Sequence, residues 1–257
     1  MRSFKGLINK VRLILFDADS KKKSWKHEYL AYKNAINSLA AISSQQGYST
    51  IPKLRECNLV LKEDHPEALK LKDLLDNFGS DKSSVHNYHL LYAGILKNRV
   101  AINIFEMGLG TPHLEMISNM GPDGKPGASL RSFKEMYPNA NIYGADIDKR
   151  ILFNEDRIKT FYANQLDKNS LADLHLLLAP LTFDLIIDDG LHTPEASINT
   201  LEFAIDILAP GGYFVIEDIK ETDLQFYLVM KQCLNDELEI DIFETQAAFI
   251  CVIKKLS

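Results

Sequence analysis

The sequence has few cysteines and lacks long apolar segments, and each absence excludes a class of protein. Its three cysteines, Cys57, Cys233 and Cys251, are odd in number and far apart, which argues against a disulfide framework and against a zinc cluster. No stretch reaches the apolar length of a membrane span. The amino terminus shows no small-residue cleavage site after its apolar stretch. We therefore expect a cytoplasmic protein that is not secreted.

An overall positive charge is also lacking. The 257 residues carry a net charge of -6, and 46% of them are hydrophobic, which is enough for a full core. Residues 1–26 hold eight Lys or Arg against two Asp, a charge of +6 that leaves -12 for the remainder. Because nucleic-acid binding needs a basic footprint, the acidic body argues against nucleic acid as a partner.

The basic amino terminus contains a predicted amphipathic helix over residues 4–16. Its apolar residues recur at helical spacing, namely Phe4, Leu7, Ile8, Val11 and Leu15. Such a face packs on its own domain or on a second subunit, or it contacts a membrane through residues 1–26, aided by the lysines at 21–23. We expect residues 1–77 to form a helical region acting as a lid, an oligomerisation surface or a contact with the inner membrane face. A homo-oligomer is expected because apolar faces need burial.

Short strands alternate with helices over residues 78–257, which predicts one α/β domain. The pattern favours a Rossmann-like, doubly wound and mostly parallel sheet. Seven strands are predicted, at 100–105, 141–145, 159–165, 183–188, 213–216, 238–243 and 248–253. The final two have no helix between them, so they predict an antiparallel carboxyl-terminal hairpin.

Paired acids follow two of these strands. Asp188 and Asp189 end the fourth strand, Glu217 and Asp218 end the fifth, and His192 comes three residues after Asp189. Open α/β sheets bind ligands at the carboxyl ends of their strands, and such groups could hold a hard divalent cation beside a base. Alternatively, the first pair caps the next helix and the second is ordinary surface charge. The coincidence of both pairs with a histidine favours a site.

Glycines and another acid predict a nucleoside site at the same edge. Gly108 and Gly110 follow the first strand and let backbone approach a ligand closely. Asp146 ends the second strand, where an acid accepts hydrogen bonds from ribose hydroxyls, although it could instead cap the next helix. An irregular insertion at 111–127 explains why these glycines and Asp146 lie further apart than the roughly 20 residues usual in dinucleotide folds. Gln165 ends the third strand with a side chain able to read an adenine edge.

Polar residues on either side of the first strand predict helix caps. Ser83 or Ser84 would cap the helix before that strand, and Ser129 would cap the helix after the insertion and present free N–H groups to an anion. His86 and His89 are three apart and could share a helical face. Without further ligands nearby, no metal role is expected for them.

Several separated motifs keep a common order over about residues 78–220. They are Gly79-Ser80-Asp81-Lys82, Glu106-Met107-Gly108-Leu109-Gly110, Gly127-Ala128-Ser129-Leu130-Arg131, Gly144-Ala145-Asp146, Asp156-Arg157-Ile158, Ile187-Asp188-Asp189-Gly190-Leu191-His192, Pro210-Gly211-Gly212 and Val215-Ile216-Glu217-Asp218. In this order they resemble the class I S-adenosylmethionine-dependent methyltransferases. More specifically, they are similar to the metal-dependent macrolide sugar O-methyltransferases of the mycinamicin and macrocin type.

The resemblance implies S-adenosylmethionine and Mg²⁺ as cofactors, and a sugar hydroxyl in a glycan or glycosylated natural product as the acceptor. It implies Asp189, Glu217 and Asp218 as metal ligands and His192 as the catalytic base. The cofactor contacts that it implies are Gly79, Ser80, Lys82, Glu106, Gly108, Ser129, Asp146, Gln165 and Asp188. The family pattern often has serine before the histidine where this chain has Leu191, which puts the local loop packing in doubt.

Three other functions compete with this prediction. A small phenolic or catechol-like acceptor would use the same metal chemistry. A nucleotide-dependent oxidoreductase would need a third glycine close to Gly110 and has no use for the second pair of acids. A cofactor-binding scaffold without turnover would not need the acids and the histidine that this chain retains.

Overall fold

The computed structural model describes residues 34–36, 38, 51–99, 102–234 and 237–256, and residues 34–36 and 38 are helical. The predicted amphipathic helix at 4–16, together with the membrane or partner contact assigned to residues 1–26, lies outside the described residues. Among the helices that are described, none combines the length and the apolar character needed to cross a bilayer.

Within residues 51–99, three α-helices precede the sheet: α1 (Pro66–Phe78), α2 (Asp81–Ser84) and α3 (Tyr88–Leu96). Helix α1 ends at Gly79, whose φ of 85° lies in the left-handed region that glycine adopts without strain. Leu71 and Leu75 of α1 belong to the same core cluster as Ile104 of the first strand. The helical segment before the sheet and the sheet itself therefore share one apolar core.

In the described part of the chain, eight strands form one sheet in the order β3-β4-β2-β1-β5-β6-β8-β7. They are β1 (Asn103–Met107), β2 (Asn141–Asp146), β3 (Asn154–Glu155), β4 (Ile158–Tyr162), β5 (Phe183–Asp188), β6 (Leu208–Ile219), β7 (Leu238–Glu244) and β8 (Phe249–Lys255). Strands β4, β2, β1, β5 and β6 pair in parallel, and β7 and β8 form an antiparallel hairpin. These findings confirm the predicted α/β class, the mostly parallel sheet and the closing hairpin.

The sheet has one strand more than the predicted seven. Strand β3 contains two residues, which is too short for a recognisable apolar pattern. Strand β6 begins at Leu208 and includes residues 210–212, an extension that precedes the predicted strand at 213–216. A register shift in the pairing of β5 with β6 between Phe183 and Leu185 accommodates it.

Helices cover both faces of the sheet. The connecting helices are α4 (Ala128–Met136), α5 (Lys168–Leu178), α6 (Pro194–Ile207) and α7 (Leu224–Cys233). Successive side chains of the central strands enter two different core clusters: Phe105, Ile186 and Phe214 lie in one, and Ile104, Leu185 and Val215 in the other. Because both faces of the sheet are buried, the central strands have continuous apolar sequences.

The predicted cap for the helix before the first strand is wrong. Ser80, rather than Ser83 or Ser84, caps α2, because its hydroxyl accepts from the Lys82 N–H at 3.4 Å. Helix α3 begins separately after Asn87, whose φ of 58° interrupts the helical backbone. Two short helices therefore replace the continuous one, and this break separates Lys82 from the α3 residues that follow.

Candidate active site

A cavity of about 370 Å³ opens at the carboxyl edge of the parallel strands. Its wall contains residues that end or directly follow β1, β2 and β5, namely Gly108, Asp146 and Asp189. Residues 116–120 of the irregular insertion complete part of the wall. This is the edge at which open α/β sheets bind ligands.

Gly108 and Asp146 form the end of the cavity predicted to bind a nucleoside. Gly108 has a φ of 97°, and a Cβ there would come within 2.0 Å of the Asp189 carbonyl oxygen. The Asp146 carboxylate accepts from the N–H groups of Leu109 at 2.8 Å and Asp148 at 2.7 Å. Asp148 caps the turn that follows, so Asp146 is not the helix cap considered as its alternative role. Burial raises the pKa of Asp146, partly offset by the backbone hydrogen bonds.

Gln165 lines the cavity, but it uses its side-chain amide inside the protein. Its Nε2 donates to Asp188 Oδ1 at 2.6 Å and to Thr200 Oγ1 at 2.8 Å, and its Oε1 accepts from the Leu191 N–H at 2.8 Å. Both amide donors are therefore occupied, so Gln165 supports the loop after β5 instead of offering donors to an adenine edge. Burial raises the pKa of Asp188 to about 6, which fits a supporting carboxyl group in a dry environment.

Asp189, His192 and Asp218, here called the open cluster, lie together in the cavity wall. Each offers one ligand atom, and these atoms lie within 4.8 Å of one another. The side chains of Asp189 and Asp218 are 26% and 28% exposed, and His192 Nε2 lies 3.7 Å from Asp189 Oδ1. Two carboxylates and an imidazole at this spacing suit a divalent cation. The structure thus brings together three of the four residues predicted for the metal and the base.

The backbone of the open cluster supports a functional role. His192 and Asp218 have φ values of 53° and 54°, a left-handed conformation that is costly for side chains with a Cβ and is concentrated at functional sites. Thr193 caps α6, since its hydroxyl accepts from the Ala196 N–H at 3.4 Å. Asp189 is therefore not needed as a helix cap, which removes the structural alternative for that residue.

Lys82, Glu106 and Glu217 form a second group, here called the buried cluster. Lys82 is 2% exposed and both glutamates are 1% exposed. The Lys82 ammonium contacts Glu217 Oε2 and lies 3.2 Å from Glu106 Oε1 and 2.5 Å from Asp189 Oδ2. Burial lowers the pKa of Lys82, but the three carboxylates outweigh that effect and hold it well above its usual value. The three ion pairs therefore favour the charged form of Lys82.

Hydroxyl groups complete the hydrogen bonding of both clusters. The Tyr92 hydroxyl donates to Glu217 Oε1, and the Tyr88 hydroxyl donates to Asp218 Oδ1 at 2.8 Å. Ser129 donates to Glu106 from inside α4, and the N-cap of that helix is Gly127, so the predicted capping role of Ser129 is wrong.

Sequence reasoning missed both tyrosines, Tyr88 and Tyr92. Their spacing of four residues, which places them on one face of an apolar helix, is a signal that could have revealed them.

Several residues predicted to contact the cofactor also make contacts within the protein, and their cofactor role stays a prediction. Gly79 and Ser80 are helix caps, and Lys82 and Glu106 belong to the buried cluster. The segment 79–82 still reaches the cavity, because Asp81 lies in its wall. Sequence reasoning also missed residues 116–120 as a wall segment, since an irregular loop has no periodic pattern to place it.

Curated relatives of this chain are sugar O-methyltransferases, although no protein-family model matches the sequence. The chain is 30% identical over 165 residues to the 8-demethyl-8-alpha-L-rhamnosyl tetracenomycin-C 2'-O-methyltransferase of Streptomyces olivaceus. This alignment covers 63% of this chain and 41% of the relative. It is 37% identical over 93 residues to the demethylmacrocin O-methyltransferase of Streptomyces fradiae, covering 36% of this chain and 23% of the relative. The chain thus spans less than half the length of these relatives.

A solved structure with a similar fold is the MycE methyltransferase from the mycinamycin biosynthetic pathway, determined in complex with Mg and SAH. It aligns with a TM-score of 0.57 at 22% sequence identity, over 73% of this chain and 55% of the MycE chain. At this identity the likeness establishes the fold alone, which this chain shares with the MycE methyltransferase. Together with the relatives above, it confirms the resemblance predicted from the ordered motifs.

Proposed function

We propose that this chain transfers the methyl group of S-adenosylmethionine to a sugar hydroxyl of a glycan or glycosylated natural product, in a reaction that requires Mg²⁺. The observation that carries the proposal is the position of the open cluster in the wall of the cavity that Gly108 and Asp146 also line. One cavity thus joins the end proposed to bind a nucleoside to the end proposed to bind a cation. Relatives that are named as O-methyltransferases of glycosylated compounds support a sugar as the acceptor.

Asp146 and Gly108 hold the methyl donor in this proposal. The Asp146 carboxylate accepts one backbone N–H on each oxygen, and each oxygen retains a second lone pair for a ribose hydroxyl. Gly108 lets the backbone approach the methionine portion, because it has no Cβ in the way. The similar fold that was solved with SAH supports this choice of donor.

Asp189, Glu217 and Asp218 would hold the divalent cation. The donor set fits such an ion, since Asp189 and Asp218 offer partly exposed carboxylate oxygens within 4.8 Å of each other. A bound Mg²⁺ supplies Lewis acidity that lowers the pKa of a coordinated hydroxyl. Glu217 differs from the other two ligands, because Lys82 and Tyr92 already bond its two oxygens.

His192 removes the proton of the acceptor hydroxyl in this mechanism. Its imidazole lines the cavity and is partly exposed, so an acceptor can reach it. Asp189 Oδ1, 3.7 Å from Nε2, stabilises the imidazolium that forms. As this proton moves to His192, the hydroxyl oxygen would bond the methyl carbon of S-adenosylmethionine while the carbon–sulfur bond breaks, and S-adenosylhomocysteine would leave.

The insertion supports an acceptor with an apolar part. Leu114 and Ile117 are 65% and 90% exposed, and Ile117 lies in the cavity wall. Exposed apolar groups at the mouth of a cavity are typical of ligand contact. They favour a sugar that is attached to an apolar natural product over a free sugar.

A methyl-transfer assay tests the proposed function. Purified chain, S-adenosylmethionine and a rhamnosyl polyketide are incubated with Mg²⁺ or with excess EDTA, and products are identified by mass spectrometry. We expect a product heavier by one methylene unit with Mg²⁺, and none with EDTA until Mg²⁺ is restored. Full turnover in excess chelator would refute the metal requirement. Methylation of a catechol but of no glycoside would favour the phenolic alternative.

The charge of residues 1–26 motivates a further part of the proposal, that a cytoplasmic homo-oligomer contacts the inner membrane face through this segment. Its eight basic residues suit anionic lipid. Full-length chain and a variant lacking residues 1–26 are compared for cosedimentation with vesicles containing phosphatidylserine, and for mass by sedimentation equilibrium. Binding that survives the deletion would refute the membrane part, and a monomeric full-length chain would refute the oligomer.

A further inference from the structure

Lys82 contacts two of the carboxylates proposed to bind the divalent cation. Its ammonium lies 2.5 Å from Asp189 Oδ2 and also contacts Glu217 Oε2. Helix α2 delivers this side chain from 107 residues before Asp189 and 135 residues before Glu217. The predicted role of Lys82 as a cofactor contact does not explain why its ammonium contacts both Asp189 and Glu217.

The surroundings of Lys82 make it a cation with several alternative acceptors. The side chain is 2% exposed and has a third carboxylate partner in Glu106, 3.2 Å away. If Lys82 gave up Asp189 and Glu217, the ammonium would therefore keep a charged partner. A cation with a remaining carboxylate can be displaced without becoming an unpaired buried charge, which would be the costly outcome.

We propose that Lys82 is an internal counterion that competes with the divalent cation for Asp189 and Glu217. This inference rests on the proposed cation site. Two cations that share the same carboxylate oxygens repel each other, so the ammonium weakens the binding of the divalent ion. Lys82 thereby lowers the affinity of the site for the metal. It is also a positioning residue, because it holds both carboxylates in place until the metal binds them.

Competition and a purely structural role predict opposite results for removal of the charge. If Lys82 only braced the carboxylates, Lys82→Met would loosen the site and weaken metal binding. If Lys82 competes, the same variant gains affinity, because methionine fills a similar volume without the charge. The sign of the change in metal affinity therefore separates the two roles.

Binding of Mn²⁺ alone, followed by electron paramagnetic resonance, tests the inference on the full chain. We expect Lys82→Met to bind Mn²⁺ about tenfold more tightly than the original chain, since one neighbouring positive charge is removed. Lys168→Met is the matched control, because Lys168 also forms a short ion pair, with Glu202, outside this cavity. The control should leave the affinity unchanged.

Each outcome of the Mn²⁺ measurement is decisive. Equal or weaker binding by Lys82→Met overturns the inference and leaves the cation site standing. Absence of binding by both proteins at millimolar Mn²⁺ overturns the proposed cation site and this inference with it. Tighter binding by the Lys168→Met control as well would show a general charge effect and would also overturn the inference.

Amine labelling of the unaltered chain tests the same inference if Lys82→Met fails to fold. The chain is pulsed with acetic anhydride in Mg²⁺ or in EDTA at equal ionic strength, and acetylation of each lysine is measured by mass spectrometry. We expect Mg²⁺ to accelerate acetylation of Lys82 several-fold, because the ammonium then loses two of its three carboxylate partners. The surface residue Lys72 should not respond. Unchanged or slower acetylation of Lys82 would overturn the inference.

Discussion

The buried cluster and the open cluster lie at the same edge of the sheet, but their carboxylates have different surroundings. Glu217 is 1% exposed, and Lys82 and Tyr92 bond its two oxygens. Asp218, the next residue in the chain, has a side chain that is 28% exposed and one oxygen bonded to Tyr88. Asp218 has a φ of 54°, and the pairing of β6 with β8 shifts register between Ile216 and Ile219. This backbone irregularity gives the two neighbouring acids different environments.

The difference shows how one type of side chain serves two purposes. Acids surrounded by a lysine and hydroxyl groups hold the strand ends together, and acids that face the cavity remain available to a ligand. Asp189 belongs to both groups, since Lys82 approaches one of its oxygens and His192 the other. Variants that affect one cluster more than the other can therefore test whether the two clusters serve these different purposes.

Asp189→Ala should have the largest effect, because it breaks the contact between the two clusters. Removing a ligand that positions the proposed metal and its charge costs several kcal/mol of transition-state stabilisation, so we expect turnover to fall by at least about 10⁴-fold. Binding of S-adenosylmethionine, measured by calorimetry, should remain largely intact. Glu155→Gln is the control, since Glu155 pairs with Arg131 at the surface. Turnover above a tenth of the original would contradict the proposal.

His192→Ala should have the next largest effect and acts on the open cluster alone. General base catalysis contributes up to about 10⁴-fold, so we expect kcat to fall by about 10³-fold with little change in KM. The affinity for Mn²⁺ should be unchanged if His192 is the base. A parallel loss of Mn²⁺ affinity would instead make His192 a metal ligand, and unchanged kcat would remove it from the mechanism.

Glu217→Ala and Asp218→Ala compare the two clusters by stability. Breaking a buried ion pair leaves charge uncompensated, so Glu217→Ala should lower the free energy of unfolding by about 3 kcal/mol. Asp218→Ala should cost about 1 kcal/mol or less, because its side chain is partly exposed. Unfolding by urea in EDTA measures both. Equal losses of unfolding free energy in the two variants would show that Glu217 and Asp218 contribute equally to stability.

Tyr88→Phe should have the smallest effect, since it removes one hydroxyl from the edge of the open cluster. Loss of its hydrogen bond to Asp218 should weaken Mn²⁺ binding by about tenfold, the equivalent of roughly 1.4 kcal/mol. Tyr137→Phe is the matched control, because the buried Tyr137 hydroxyl has no hydrogen-bond partner in the described part of the chain. Equal Mn²⁺ affinities for both variants would show that Tyr88 does not position Asp218.

Local patterns predicted most of the fold and half of the site. The strand at Phe183–Asp188 matches the prediction residue for residue, because a buried strand with acids at its end has a distinct pattern. Asp189, His192 and Asp218 meet as expected for neighbouring parallel strands. The predicted cap at Ser83 or Ser84 is wrong, because three nearby serines offer equivalent local signals and Ser80 is the one that caps α2.

The sequence by itself determined the order of strands and helices and the placement of acids at two strand ends, because apolar periodicity and strand termini are local properties of the chain. The tertiary structure alone decided which acids face the cavity and which face Lys82. That choice depends on a lysine 135 residues before Glu217 and on tyrosines from a helix that the motifs do not include. Electrostatic partners are set by distance in space, and a local pattern contains no information about that distance.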